Sequence, residues 1–135
     1  MITAYIDGGS RGNPGPAGYG VQIVNEQGDV EAELYASLDH CTNNVAEYRG
    51  LLAALTWAIE HEADALHVRS DSELLVKQLR GEYRVKNPGL QPLHREARRL
   101  VDRIGHVTFE HVRRELNKEA DRLANLAMDE GLPAK

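Results

Sequence analysis

Four acids fall where one kind of secondary structure gives way to another: Asp7, Glu47, Asp71 and Asp121. Taken singly, each has a local explanation. Asn44 with Glu47 three residues on resembles a helix capping box, Ser70 with Glu73 makes another around Asp71, and Asp121 complements a helix dipole behind an Asn117 cap. Asp7, beside Gly8-Gly9, reads as a turn residue. Taken together they point to chemistry, because a hard divalent cation is held by several carboxylates that converge from separate elements. All four map to the same strand-end, helix-start edge of the chain's expected sheet. Other acids, such as Glu31, Glu33, Glu60, Glu62 and Asp102, fall on strand or helix faces where solvation accounts for them. The histidines at 40, 61, 67, 94, 106 and 111 show no metal-ligand spacing, and Trp57 reads as packing on a helix face.

The elements that must position these acids follow from the hydrophobic period. Ile2, Ala4 and Ile6 alternate with Thr3, Tyr5 and Asp7, which predicts a strand stopped by Gly8-Gly9. The segment SRGNPGPAG reads as a loop, Tyr19 to Val24 as a second strand, NEQGD as a turn, and Val30, Ala32, Leu34 and Ala36 as a third strand. The first third is thus a three-strand antiparallel meander. The period then lengthens: Tyr48, Leu51, Leu52, Leu55, Ala58 and Ile59 recur at three and four, predicting an amphipathic helix over about 44–61. A short strand from Ala65 to Arg69, a helix over 72–80, a helix from near Gln91, a strand through Val107 and Phe109, and a last helix through Ala120, Leu123, Ala124 and Ala127 complete the order. This order predicts an α/β class, a mixed sheet with helices on its faces, as one domain over 1–130 with a loose tail over 131–135. Open sheets of this kind bind ligands at the carboxyl ends of their parallel strands.

The residues around the four acids resemble the signatures of the type 1 ribonuclease H family. Asp7-Gly8-Gly9-Ser10 with Asn13-Pro14-Gly15 is similar to its opening signature, Thr42-Asn43-Asn44 with Ala46-Glu47 to its second, Ser70-Asp71-Ser72 to its third, and Asn117-Lys118-Glu119-Ala120-Asp121 with Leu123-Ala124 to its fourth. The resemblance runs in order over nearly the whole chain. It implies a ribonuclease H-like five-stranded mixed sheet, the meander plus two parallel strands, with helices on both faces. It also implies an endonuclease that hydrolyses the RNA strand of RNA-DNA hybrids, leaving 5'-phosphate and 3'-hydroxyl ends. By the same resemblance Asp7, Glu47, Asp71 and Asp121 are catalytic and hold two Mg²⁺ ions, with Mn²⁺ as a possible substitute. Asp7 then bridges both ions, Asp121 completes the one that activates water, and Glu47 and Asp71 hold the other.

A nuclease selective for RNA must read the 2'-hydroxyl in the wide minor groove of an A-like helix. Gly8, Gly9, Ser10, Asn13, Asn43 and Asn44 are the substrate-binding candidates for that task, with Thr42 for a DNA-strand phosphate and Arg114 for a contact near the scissile phosphate. The chain departs from some relatives in two ways. The region between the second and third helices is only GEYRVKNPGL, without a basic insertion, and the loop RRELNKEA ahead of Asp121 contains no histidine.

The 135 residues are 41% apolar and 27% charged, which suits a globular domain with a single core. A formal charge of -5 argues against holding nucleic acid by bulk electrostatics, unless several of the 21 acids are neutralised by metal in the working state. Cys41 is the only cysteine, so neither an internal disulfide nor a cysteine-based zinc site is expected. No run approaches the roughly 18 apolar residues of a membrane span, and MITAYIDGG has no basic export region. A cytoplasmic monomer with no membrane association and no obligate protein partner is therefore expected.

Overall fold

Five strands and four α-helices, with a 3-10 turn at Arg114–Leu116, follow one another in the computed structural model, which describes residues 1–131. They are β1 (Ile2–Ser10), β2 (Gly15–Val24), β3 (Val30–Cys41), α1 (Asn43–Glu60), β4 (Ala65–Ser70), α2 (Glu73–Leu79), α3 (Gln91–Ile104), β5 (His106–His111) and α4 (Lys118–Glu130). The strands form one sheet in the order β3-β2-β1-β4-β5. The meander pairs antiparallel, whereas β1 with β4 and β4 with β5 pair parallel, so the expected mixed α/β sheet is present. The predicted tail at 131–135 lies outside the described residues except for Gly131, which caps α4.

β1 does not stop at Gly8-Gly9 as the sequence suggested. Gly8 pairs with Tyr19, Gly9 with Gly18 and Ser10 with Ala17. These glycines serve close approach rather than a turn: a Cβ on Gly8 would lie 2.4 Å from the Ala46 carbonyl carbon of α1. β2 likewise begins at Gly15, ahead of the predicted Tyr19. Pro16 falls in a register shift between β2 and β3, which spares the ladder the N–H that proline lacks.

The main core lies between the sheet and α1, with α3 packed on α1's far side. Ile6, Val21, Ile23, Leu66 and Val68 from the strands meet Leu51 and Leu55 of α1, all fully buried. Each such side chain contributes about 2 kcal/mol by leaving water. α4 packs over β2 and β3, where Gly18 and Gly20 leave room for the backbone and Cβ atoms of Ala120, Leu123 and Ala127. The buried Tyr48 hydroxyl donates to Gln78 Oε1 at 2.6 Å and ties α1 to α2. Arg98 of α3 donates to the Leu79 carbonyl at 2.8 Å, satisfying an acceptor at the end of α2. Trp57 packs half-buried against the core and stacks on His61, as its helix-face position predicted.

Candidate active site

The parallel pairing of β1 with β4 ends at Ile6 and Ser70. Asp7, still within β1, and Asp71, just past β4, are each the next residue, so both stand at the carboxyl-terminal edge of the parallel pairing. Glu47 reaches that edge from α1 because Gly8 lets the helix backbone sit directly against β1. Asp121 enters from the first turn of α4.

Carboxylate oxygens of Asp7, Glu47 and Asp71 all lie within 4.8 Å of one another. Asp121 lines the same cavity, of about 480 Å³, close enough for its charge to act on Asp7. Asp7 and Glu47 are only 9% and 8% exposed. Burial, then the charge of Asp71, then Asp121 lift Asp7 from the ordinary 3.8 to about 7. Glu47 is raised well above its usual range by burial first, then by the charges of Asp7 and Asp71. Burial also raises Asp71, opposed by the Arg114 guanidinium and by hydrogen bonding from Asn117. One oxygen of Glu47, Oε2, is buried with no hydrogen-bond partner. A buried carboxylate oxygen without a donor, facing other carboxylates, is unfavourable unless a cation completes the site. The donor set is all oxygen and fits a hard divalent ion such as Mg²⁺ or Mn²⁺.

The two capping-box explanations do not hold, whereas Asp121 does stand in the first turn of α4 behind Asn117. The N-cap of α1 is Thr42, whose Oγ1 accepts from the Val45 N–H at 3.2 Å, so Glu47 stands beyond the capping position and turns to the cavity. The N-cap of α2 is Ser72, which accepts from Leu75 N–H, while the Ser70 hydroxyl accepts from Ser72 N–H. Asn117 makes no side-chain cap. Its amide, 1% exposed, donates instead to the Ile6 carbonyl at 2.8 Å, directly beneath Asp7.

Of the expected substrate-binding residues, Gly8, Gly9, Ser10, Asn43 and Arg114 line the cavity with the four acids. Asn43 Oδ1 accepts from both Ser10 N–H and Ser10 Oγ, at 2.8 and 3.1 Å. Asn13 and Thr42 lie outside the cavity; Asn13 Oδ1 accepts from Asn43 N–H at 3.0 Å and joins the β1–β2 loop to the start of α1. Asn44 is exposed in the first turn of α1 and does not line the cavity. The sequence reading missed Arg11, Ser72, Asn125 and Met128, which do line it. Asn125 and Met128 were findable, since they follow Asp121 by four and seven residues and so share its helix face. No histidine belongs to the acid cluster among the described residues, although His111, at the end of β5, contributes a lesser favourable charge to Asp71.

A family model described as "Reverse transcriptase-like" matches residues 5–127, and the sheet order with its carboxylates at the β1 and β4 ends belongs to the ribonuclease H-like class. The chain is 47% identical over 129 residues to the bifunctional protein Rv2228c of Mycobacterium tuberculosis, covering 95% of this chain and 35% of that protein. The structure of that protein's N-terminal RNase H domain superposes with a TM-score of 0.93 at 44% identity, over 96% of this chain and 94% of the solved one. Ribonuclease HI of Halobacterium salinarum is 41% identical over 96% of this chain and 65% of its own length, and its crystal structure has a TM-score of 0.92, covering 98% of the solved chain. LC11-RNase H1, solved in complex with an RNA/DNA hybrid, has a TM-score of 0.93 at 40% identity, over 98% of this chain and all of that one. This chain belongs to the type 1 ribonuclease H family. It spans about a third of the length of the mycobacterial relative and just under two thirds of the halobacterial one.

Proposed function

We propose that this chain hydrolyses the RNA strand of RNA-DNA hybrids in a reaction that depends on divalent metal. The observation that carries this reading is the convergence of Asp7, Glu47 and Asp71 within 4.8 Å, with a donorless buried oxygen on Glu47, in a cavity whose other wall is the Gly8–Ser10 backbone and the Asn43 amide. The hybrid bound in LC11-RNase H1 is a substrate of the matching chemistry.

In this reading Asp7, Glu47, Asp71 and Asp121 would hold two Mg²⁺ ions, or Mn²⁺ in their place. When bound, two such ions would supply charge stabilisation for the attacking and leaving oxygens of a phosphodiester displacement and would acidify a water, in keeping with 5'-phosphate and 3'-hydroxyl products. Gly8, Gly9 and Ser10 offer backbone groups, and Asn43 an amide, to the 2'-hydroxyls of the RNA. Asn13 fixes the backbone of Asn43, and the neighbouring Asn44 extends the same polar edge. Thr42 accepts from Val45 N–H yet keeps its own hydroxyl proton to donate to a DNA-strand phosphate. Arg114, beside Asp71, places positive charge where a phosphate must enter a cavity of carboxylates. Residues 1–130 act as one domain, and a monomer working in the cytoplasm completes the reading. No helix among the described residues is long and apolar enough to cross a membrane.

The test is incubation with Mg²⁺ or Mn²⁺ and labelled RNA-DNA hybrid, duplex DNA, duplex RNA and single strands. Internal cuts confined to the RNA of the hybrid are expected. Equal cleavage of duplex DNA, or binding without any cleavage, overturns the assignment.

A further inference from the structure

Two cations line the carboxylate cavity among the described residues, and they are engaged differently. Arg114 faces Asp71 and helps hold that acid ionised. Arg11 is paired outside the four acids, with its guanidinium nitrogen 2.5 Å from Asp129 Oδ1 on the last turn of α4. Asp129 does not line the cavity.

The backbone under Arg11 is fixed even though its side chain is partly exposed. Arg11 N–H donates to the Pro16 carbonyl at 2.8 Å across the β1–β2 loop, and Gly12 takes φ +78. Any Cβ on Gly15 would lie 2.0 Å from the Arg11 carbonyl oxygen, so the loop closes tightly on this residue. Its two neighbours in the sequence direction of the cavity, Gly9 and Ser10, are the groups proposed to face the RNA. The Arg11 backbone is therefore held at a set place on the rim, one residue from the groove-reading backbone, and its side chain reaches out from there.

The ion pair that holds it there is weak by nature. Side-chain exposure is 38% for Arg11 and 62% for Asp129, and exposed pairs contribute between nothing and about 1 kcal/mol. A phosphodiester offers the same guanidinium a planar, two-point, charge-assisted contact, and a strand that enters a cavity of four carboxylates needs positive charge on its flanking phosphates. We infer that Arg11 is a phosphate-gripping residue, its guanidinium passing from Asp129 to a backbone phosphate of the strand that enters the carboxylate cavity. Asp129 is its resting partner, orienting the side chain in the free protein and competing with the phosphate. This assignment rests on the hybrid-cleaving reading.

The experiment measures hybrid binding and steady-state cleavage for the parent, Arg11→Ala, Arg11→Lys and Asp129→Asn across a series of salt concentrations, with a thermal melt of each. Arg11→Ala is expected to weaken hybrid affinity and raise KM by about tenfold, and to lower the slope of log affinity against log salt by about one. Arg11→Lys is expected to keep the parent's slope while losing part of the affinity, because it retains the charge without the fork. Asp129→Asn is expected to bind hybrid as tightly as the parent or several-fold more tightly. A salt slope unchanged in Arg11→Ala overturns the assignment. So does an Asp129→Asn variant that weakens as Arg11→Ala does, since a pair that merely ties the loop to α4 is broken equally from either side. Failure of the parent to cut hybrid sinks the underlying reading instead, and the binding slopes still judge Arg11.

Discussion

Burial and three neighbouring acids act on one proton at Asp7. Its folded pKa of about 7 lies above the 3.8 of the unfolded chain, so the protonated form stabilises the fold. That contribution is fully present below about pH 4 and is lost as pH rises through about 7. The metal-free protein should therefore lose stability between pH 5 and pH 8, and Asp7→Asn should remove much of that loss. At pH 8 without metal the variant is expected to be more stable than the parent by about 1–3 kcal/mol, with the gap closing as pH falls. Cleavage should drop by about a hundredfold or more, because an amide cannot supply a shared anionic ligand. Thermal melts at the two pH values, with and without Mg²⁺, check this; a variant less stable than the parent at pH 8 would return Asp7 to a turn residue. Asn117 acts at the same scale. Removing its amide in Asn117→Ala leaves the buried Ile6 carbonyl without this donor, expected to cost about 1–3 kcal/mol. It should also weaken the stabilisation that Mg²⁺ gives, since the carboxyl end of β1 and Asp71 are then less firmly placed. A magnesium titration followed by melting would show an undiminished shift if Asn117 only supports the helix. The four acids were legible from residue type and position alone. The job of Asn117 was not, because Asn before a helix is ordinarily a cap, and only the tertiary approach of β1 redirects its side chain.

At the scale of elements, the approach of α1 to β1 decides whether Glu47 reaches the other acids. Gly8→Ala would place a methyl about one ångström inside normal contact with the Ala46 carbonyl, and neither partner is a flexible side-chain end that can move aside. The helix must shift, so a loss of at least about 2 kcal/mol is expected, accompanied by a fall in kcat that Mg²⁺ does not restore. Melting and steady-state kinetics together check it, and a variant of parental stability and rate would mean that α1 sits farther from β1 than the structure places it. The helices and most strands were readable because Tyr48, Leu51, Leu55 and Ala58 keep helical spacing and Ile2, Ala4 and Ile6 keep strand spacing. The extents of β1 and β2 were not. Gly8, Gly9, Gly15 and Pro16 carry turn signals locally, yet here they are the side-chain-free or bulged positions that let α1 and the β1–β2 loop close in. Caps failed for a related reason. The residue that caps is the one whose backbone turns into the helix, and at α1 that is Thr42, two residues ahead of the Asn44 that the spacing to Glu47 favoured.

At the scale of the whole molecule, a net charge of -5 was the strongest argument against a nucleic-acid substrate, and the structure shows why a sum misleads. From α2 through α3 the chain carries Lys77, Arg80, Arg84, Lys86, Arg95, Arg98, Arg99 and Arg103 against Glu73, Glu82, Glu96 and Asp102. Half of the protein's 16 cations are thus concentrated in one quarter of its length, and all but Lys77 are exposed. The excess acid lies elsewhere, on β3, at the end of α1 and in the carboxylate cavity. A polyanion responds to local rather than summed charge, because screening over roughly 8–10 Å at physiological salt leaves it sensing the nearest groups. Hybrid binding should then depend on the cation-rich α2–α3 stretch even without a basic insertion. Reversing Arg84 and Lys86 to Glu together is expected to weaken hybrid affinity by at least about tenfold and to lower the salt slope by one to two, leaving single-turnover cleavage at saturating enzyme near the parent's rate. Reversing Glu60 and Glu62, at the opposite end of α1, to Lys adds as much positive charge to the sum but should change affinity far less. Equal and opposite effects from the two pairs would mean that net charge governs binding and that the clustering of cations along α2–α3 plays no part in it.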